Sequence, residues 1–333
     1  MTATTASDSI IFGVSTDMAL YGVLVVSLVL FILDIVLWFM KKESYKWYVG
    51  GPYEPADYLL PPVLGQDDKV HYIDSIAAAF YRLMKEGYLK VVLSKEKAIM
   101  GEMTKIKVKK VSVPSDKVLF SVYTLIPDAV TESGLFGEAQ TDLIDIDDLH
   151  TYISKLSVEK IFNDYKTTVD EEYEERYGNP RKSVKVLSYI VGIFSLLWAG
   201  VSGYIGYTLR LETMSYGIYA IALLLVIVGI LMFRIDYIWS SVAKKFRGRW
   251  IGFKRAVVSG DVQIDDFYEL LGYALALGIS EHYLDVVKKQ IVDGKVKVGK
   301  PPFADVDKMS FSDIRALVSA VNMLAGSLGG TSK

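Results

Sequence analysis

The residues with the greatest chemical capacity are carboxylates, and Asp34 has the least ordinary setting, within FILDIVLWF among apolar neighbours. An ionisable group inside such a run is a functional candidate, as a proton or ion site. The plainer reading, preferred here, pairs it with a polar group on a neighbouring helix or hydrates it near an interface. The densest acidic group is Asp142, Asp145, Asp147 and Asp148. A calcium loop of the EF-hand kind needs oxygen ligands at alternating positions, Gly at the sixth and Glu at the twelfth. Counted from Asp145, Leu149 and His150 occupy the fifth and sixth places, so the pattern fails and helix capping with surface charge accounts for these acids. His71, His150 and His282 lie far apart, and there is no Cys. Thiolate catalysis, disulfides, iron–sulfur ligation and Cys-based zinc sites are therefore excluded, and neither a metal nor a cofactor is expected. Residues 294–300, GKVKVGK, fit G-x-x-x-x-G-K, but Pro301 and Pro302 stand where Ser or Thr and a helix must follow a nucleotide loop. No catalytic constellation emerges, no small-molecule substrate is evident, and the expectation is a protein that is not an enzyme.

The elements that position these residues begin with three apolar runs. At 51% hydrophobic and a mean hydropathy of +0.29 the chain is too apolar for an ordinary soluble protein, while 23% charged residues are too many for one buried wholly in lipid. A helix crosses a bilayer in roughly 20 residues. The runs predict transmembrane helices over 18–40, 184–209 and 214–234, the last two forming a hairpin through a turn at 210–213. The first is not a signal peptide, because its basic residues Lys41, Lys42 and Lys46 follow it. Lys and Arg crowd after the first run, before the second and after the third, whereas residues 1–17 carry none and the turn only Arg210. The positive-inside rule then puts the N-terminus outside and the C-terminus in the cytoplasm. Ser195, Ala199 and Gly203 recur every fourth residue, a stripe suited to close helix packing. Trp38, Trp47, Trp198 and Trp239, with Tyr204, Tyr207, Tyr216 and Tyr219, suggest interfacial anchors. Lys244, Lys245, Arg247, Arg249, Lys254 and Arg255, with no acid among them, form a cluster suited to anionic lipid.

Between the first and second runs lies a soluble block. Its connector, 41–69, is rich in Pro and Gly and reads as extended and turn structure rather than helix. The domain 70–183 then opens with a helical stripe, Ile73, Ile76, Phe80 and Leu83, stopped by Gly87. YLKVVL and TKIKVKKVSV follow as strands of a Lys-rich hairpin, so helix and hairpin together look like half of a winged helix. Helices are expected over 115–126, from 147 and over 158–177, the first two separated by a Gly-containing loop. Residues 85–110 hold eight Lys against three Glu, yet the last of these helices carries Asp170, Glu171, Glu172, Glu174 and Glu175 and would repel DNA. Nucleic acid is a disfavoured partner. Beyond the third span, 235–325 is read as helical, with helices over 265–277, 281–292 and 310–324, and 326–333 as a flexible tail. FYELLGYALALGI is too apolar to be solvated and too short to span, so it should pack against the 70–183 domain.

The order of Tyr58, Pro61 and Pro62, then LMKEGYLKV, a two-span hairpin, WIGFKR and LLGYALALGIS resembles the C-terminal part of the YciQ-like predicted membrane proteins of bacteria and archaea. The resemblance covers residues 40 to about 325. The family's extracytoplasmic β-rich domain and long Gly-rich tail are missing, and Gly272 stands where an LPYA-type motif has Pro. It implies a prokaryotic plasma-membrane location and architecture, and no catalytic residues. The expected fold is an α-helical membrane protein with three transmembrane helices, N-out and C-in, a cytoplasmic α+β winged-helix-like domain and a helical C-terminal region. The expected role is a scaffold or assembly component touching membrane lipid and either a protein partner or a second copy. The alternatives are a transport or ion-pathway subunit using Asp34, and a membrane-tethered winged-helix regulator.

Overall fold

The computed structural model describes residues 10–11, 14–41, 53–65, 69–98, 101–134, 137–209, 214–302 and 309–329. Lys42, Lys46, Trp47, Arg210 and the final residues 330–333 lie outside them, as does most of the N-terminal segment. In chain order, β1 (Ile10–Ile11) pairs with β2 (Val14–Ser15), and α1 (Thr16–Lys41) follows. A 3-10 turn over Asp57–Leu59 leads to α2 (Pro61–Leu64) and α3 (Lys69–Lys85), then to the hairpin β3 (Leu89–Ala98) and β4 (Gly101–Lys110). Next come α4 (Lys117–Tyr123), β5 (Val130–Gly134), β6 (Gly137–Thr141), β7 (Ile144–Asp145), α5 (Ile146–Ser154), α6 (Val158–Tyr177) and β8 (Arg181–Ser183). The two apolar helices α7 (Lys185–Leu209) and α8 (Met214–Met232) precede β9 (Tyr237–Trp239). The chain closes with α9 (Ser241–Ser259), α10 (Phe267–Ala276), α11 (Ser280–Val292) and α12 (Phe311–Leu328).

The chain divides into two units, the first formed by Met1–Ser44 with Arg181–Ser241. Its helices α1, α7 and α8 pack together, and β8 pairs antiparallel with β9, Arg181 opposite Trp239. Two stretches, Tyr21–Met40 and Lys185–Thr208, are long and apolar enough to cross a membrane. The α8 stretch, Tyr216–Met232, is equally apolar but falls short of a full span. Large side chains such as Leu28, Phe39, Phe194, Leu197, Leu223 and Ile227 point outward, which is costly in water and ordinary in lipid. The close approach of α7 to α8 is made by glycines: a Cβ on Gly192 would stand 3.0 Å from the Gly229 carbonyl oxygen, and one on Gly206 3.2 Å from Ile218. Gly203, read from the sequence as part of the packing stripe, faces open space, whereas Ser195 and Ala199 are buried. A seven-residue repeat, Ser188, Ser195 and Ser202, all fully buried, marks the inward face more closely than the four-residue stripe does. Trp198 and Trp239 both have partners within the unit. Trp239 is buried beneath the Arg181 guanidinium, 4.8 Å from its ring centroid, and Trp198 points its indole N–H at Ser27.

The second unit, Tyr45–Pro180 with Val242–Lys333, is built around α3. Tyr72, Ile76, Ala79, Phe80, Tyr81 and Leu83 are all at most 1% exposed, because α3 packs against α4, α10, α12 and the 3-10 turn rather than offering one face to a sheet. Gly87, at φ +79°, turns the chain out of α3 into the hairpin. The sheet order is β3-β4-β7, with Val91 opposite Val108 and Val108 opposite Ile144. Leu89, Val91, Ile106 and Val108 face the core, and the alternating lysines stay outside.

Several expectations change in the folded chain. The connector does contain helix, since Pro at the start of α2 has no amide to lose there and its ring presets φ. The loop expected after α4 is the hairpin β5–β6. The basic stretch that opens with the lipid-type cluster is the 19-residue helix α9, and Phe246, Trp250, Phe253 and Val257 line its buried face. Part of the expected flexible tail is ordered, for α12 runs to Leu328 and Gly329 lies against Ile73. Capping explains the helix starts: Asp116 accepts from Val118 and Leu119, Asp145 from Asp147, Asp266 from Glu269, and Ser310 forms a capping box with Asp313.

Candidate functional site

Two networks of charged residues tie the second unit together. Asp57, on the 3-10 turn, is fully buried and receives Arg82 Nε at 3.2 Å and Nη2 at 2.9 Å. Arg82 Nη2 also donates to Glu269 Oε1 at 2.8 Å, and Lys85 pairs with the same carboxylate. Burial pushes the Asp57 carboxyl up against the opposing pull of Arg82. Burial also acts upward on Glu269, but Arg82 and Lys85 outweigh it and hold that group below its usual range. Gly272 of α10 is the residue that admits Asp57, since a Cβ there would overlap the carboxylate. A second network joins Tyr58, whose hydroxyl donates to Asp116 Oδ2 at 2.9 Å, to Arg176, Glu172 and Lys117. The sequence reading singled out none of Asp57, Arg82 or Glu269. The available signal was one Arg inside the otherwise apolar run AAAFYRLM of α3.

A groove of about 630 Å³ remains open on this unit. Ile73, Asp74 and Ala77 of α3 form its floor, with Met323, Ala325 and Gly326 of α12 beside them. His150 and Ser154 of α5 make one wall, and the turn into α11, Gly278 to His282, makes the other. Gly278 adopts φ +65°, and Asp74 fills the space its missing side chain leaves, with Oδ2 2.6 Å from where a Cβ would be. Asn322 spans the floor and donates to Ser280 Oγ at 3.4 Å. Histidines 132 positions apart in sequence thus share one cavity (282 − 150), which no spacing rule reveals. Among the described residues no group of three or more His, Cys, Asp or Glu converges to hold a metal.

Asp34 is 1% exposed, and its Oδ2 lies 3.4 Å from the donating Ser195 Oγ. Trp198 Nε1 donates to Ser27 Oγ at 3.2 Å on the same seam between α1 and α7. Asp34 Oδ1 and Ser202 Oγ are buried without a hydrogen-bond partner. The basic cluster of α9 divides. Arg247 Nη1 donates to the carbonyls of Val63, at 3.0 Å, and Leu64, which close α2, and Lys254 Nζ donates to Leu277 O at 3.1 Å. These two half-buried side chains are tied to backbone carbonyls of their own unit. Lys245 and Arg255 are exposed, while Lys244 and Arg249 are half-buried. No known family, curated protein or solved structure matches this chain.

Proposed function

We infer that the chain is a multi-pass protein of a prokaryotic plasma membrane, related to the YciQ-like family, whose second unit is a cytoplasmic scaffold that binds a protein partner or a second copy. Three spans with the N-terminus outside are proposed, α8 reaching full length with the residues flanking Tyr216–Met232. The observation that supports the scaffold reading is the engagement of charged side chains in internal ion pairs, Arg82 with Asp57 and Glu269, and Arg176 with Asp116 and Glu172. Groups so engaged join segments distant in sequence and stiffen the body they lie in. Lys245 and Arg255 are the members of the α9 cluster proposed to meet anionic headgroups. The helix, hairpin and third strand are read as a winged-helix arrangement turned to packing, because α3 is buried by α10 and α12 and has no face for a nucleic-acid groove.

A second reading, an ion pathway through Asp34, has one observation in its favour, the buried Oδ1 without a partner. The scaffold reading is tested by placing single Cys residues at Ser7, Ser115 and Ser312 in this Cys-free chain. In sealed cells an impermeant thiol reagent should label only the Ser7 site. After lysis, a bifunctional thiol reagent at the exposed Ser115 and Ser312 sites should yield a discrete cross-linked species. Labelling at Ser115 in sealed cells overturns the orientation, and absence of any cross-linked species overturns the scaffold role.

A further inference from the structure

We propose that the second unit binds a second copy of this chain through two surfaces of opposite charge, a lysine patch at the end of α11 on one copy and a carboxylate stripe along α6 on the other. The inference rests on the scaffold reading and names the second copy as its occupant. The lysine patch takes in the GKVKVGK segment, which the sequence sets apart and no nucleotide loop explains. Lys288 and Lys289 are exposed near the end of α11, and the chain then folds back on that helix end. Gly294 N donates to Ile291 O at 3.0 Å and Lys295 N to Gln290 O at 2.9 Å, while Gln290 Nε2 donates to Val262 O at 3.0 Å. Val296 is buried and Lys295 and Lys297 on either side of it are exposed. Val292, between the two pairs of lysines in the chain, is 81% exposed and gives the patch an apolar contact among its charges.

The complement lies on α6. Asp164, Glu171 and Glu174 are exposed, and spacings of seven and three place them on one face of that helix. Other surface charges of the unit are paired, Lys110 with Asp128, Lys117 with Glu175 and Arg315 with Asp285. Among the described residues, Lys288, Lys289 and Lys297 on the patch and Asp164, Glu171 and Glu174 on the stripe have no ion-pair partner. Neighbours of opposite sign do not cancel either surface. Asp293, which pairs with Lys295, and Asp261 beside Val262 stand against four lysines; on the stripe, Lys160 shares the face of the three carboxylates. The two surfaces belong to different parts of the unit, for α6 packs on α2, α4, α12 and the 3-10 turn, and α11 on α10 and α12. Complementary potentials of this kind steer two copies together and fix their register, and because each exposed pair contributes little, the contact is weak and sensitive to salt.

The test is exchange of the two signs. The full-length protein in a non-ionic detergent is followed by sedimentation over a range of protein concentrations. It should self-associate at low salt. Raising the salt from about 0.1 M to about 1 M shortens the Debye length from about 10 Å to about 3 Å and should weaken the association by about tenfold or more. One variant carries Lys288→Glu, Lys289→Glu and Lys297→Glu, and another Asp164→Lys, Glu171→Lys and Glu174→Lys. Each gives its two surfaces the same sign and should be monomeric at low salt, with an unchanged melting temperature because the substituted side chains are exposed. A chain with both sets trades three lysines for acids and three acids for lysines, so it keeps the wild-type net charge of −2 and should regain salt-sensitive association. A wild type that is monomeric at low salt, association that survives either set, or a combined variant that stays monomeric at an unchanged melting temperature overturns the proposal. Should one set lower the melting temperature, the salt titration of the wild type and the other set decide. Self-association that ignores salt overturns this contact and leaves the scaffold reading standing on another surface.

Discussion

Asp34 holds one carboxylate oxygen 3.4 Å from Ser195 Oγ and leaves the other unpartnered in a 1% exposed position. One hydroxyl at that distance is thin compensation for a carboxylate, whose cost at the centre of a membrane helix is about 3 kcal/mol on insertion scales. Asp34→Asn keeps the volume and the contact with Ser195 while removing the charge. Under the scaffold reading the variant should insert as well as the wild type, with stability in detergent equal or higher by about 1 kcal/mol, a fraction of that cost. The check has two parts: thermal unfolding of both purified proteins, and ion flux in reconstituted vesicles. A pH- or ion-dependent flux present in the wild type and lost in an equally inserted Asn variant would reverse the order of the two readings. The sequence was sufficient to single out Asp34, because a lone carboxylate in an apolar run is conspicuous. Its partner Ser195 was named only for being small, since nothing local says which face of α7 meets α1.

At the scale of elements, the ion pairs centred on Arg82 fasten three segments distant in sequence: the 3-10 turn through Asp57, α3 itself, and α10 through Glu269. Arg82→Met leaves Asp57 buried without its counter-charge, so the second unit should lose about 3–5 kcal/mol of stability. The double variant Asp57→Asn with Arg82→Met removes both charges and should recover at least half of that loss, and denaturant unfolding measures both. No recovery in the double variant would show that Arg82 acts through packing alone. The acid response follows from Glu269. Its folded value lies below the ordinary carboxylate value of about 4.3, so its contribution is complete above that pH and is lost as pH falls through the folded value. Asp57 is shifted the other way by burial and contributes with opposite sign. Glu269→Gln should therefore flatten the fall in melting temperature below about pH 5. The same comparison separates the glycines of α7: Gly192 needs its missing Cβ because the Gly229 carbonyl is there, and Gly203 does not.

For the molecule as a whole, the second unit is assembled from two stretches of chain that flank the α7–α8 hairpin in sequence. Residues 70–175 alone would expose the face of α3 that α10 and α12 cover, including Ile76, Phe80 and Tyr81, each at most 1% exposed. Leaving large core side chains uncovered costs roughly 1.5–3 kcal/mol each, enough to consume the stability of a domain this size. The fragment should be markedly less stable and faster to proteolyse than the same region in the full chain. Equal melting temperature and protease resistance would establish an independent domain and refute the shared core.

What the sequence determined by itself was whatever local composition and short periodicity encode. The apolar runs of α1 and α7 are written in hydropathy, because a spanning helix must satisfy its backbone internally and face lipid with its side chains. The α3 stripe with its stop at Gly87, the Lys-alternating strand β4 and the helix α6 are written in patterns a few residues long. Helix α9 carries Phe246, Trp250, Phe253 and Val257 at helical spacing beside its basic residues, and that it is a helix came from the fold, not from the basic cluster. Only the tertiary structure decided which chemistry meets which. Asp57, Arg82 and Glu269 converge because α10 returns over α3, and Gly272 is the gap that lets a buried carboxylate in. Asp74, His150, His282 and Asn322 share a groove only because four helices pack around it. A side chain's local spacing fixes the face of its own helix on which it lies, and the partner of that face is chosen by packing summed over the whole core.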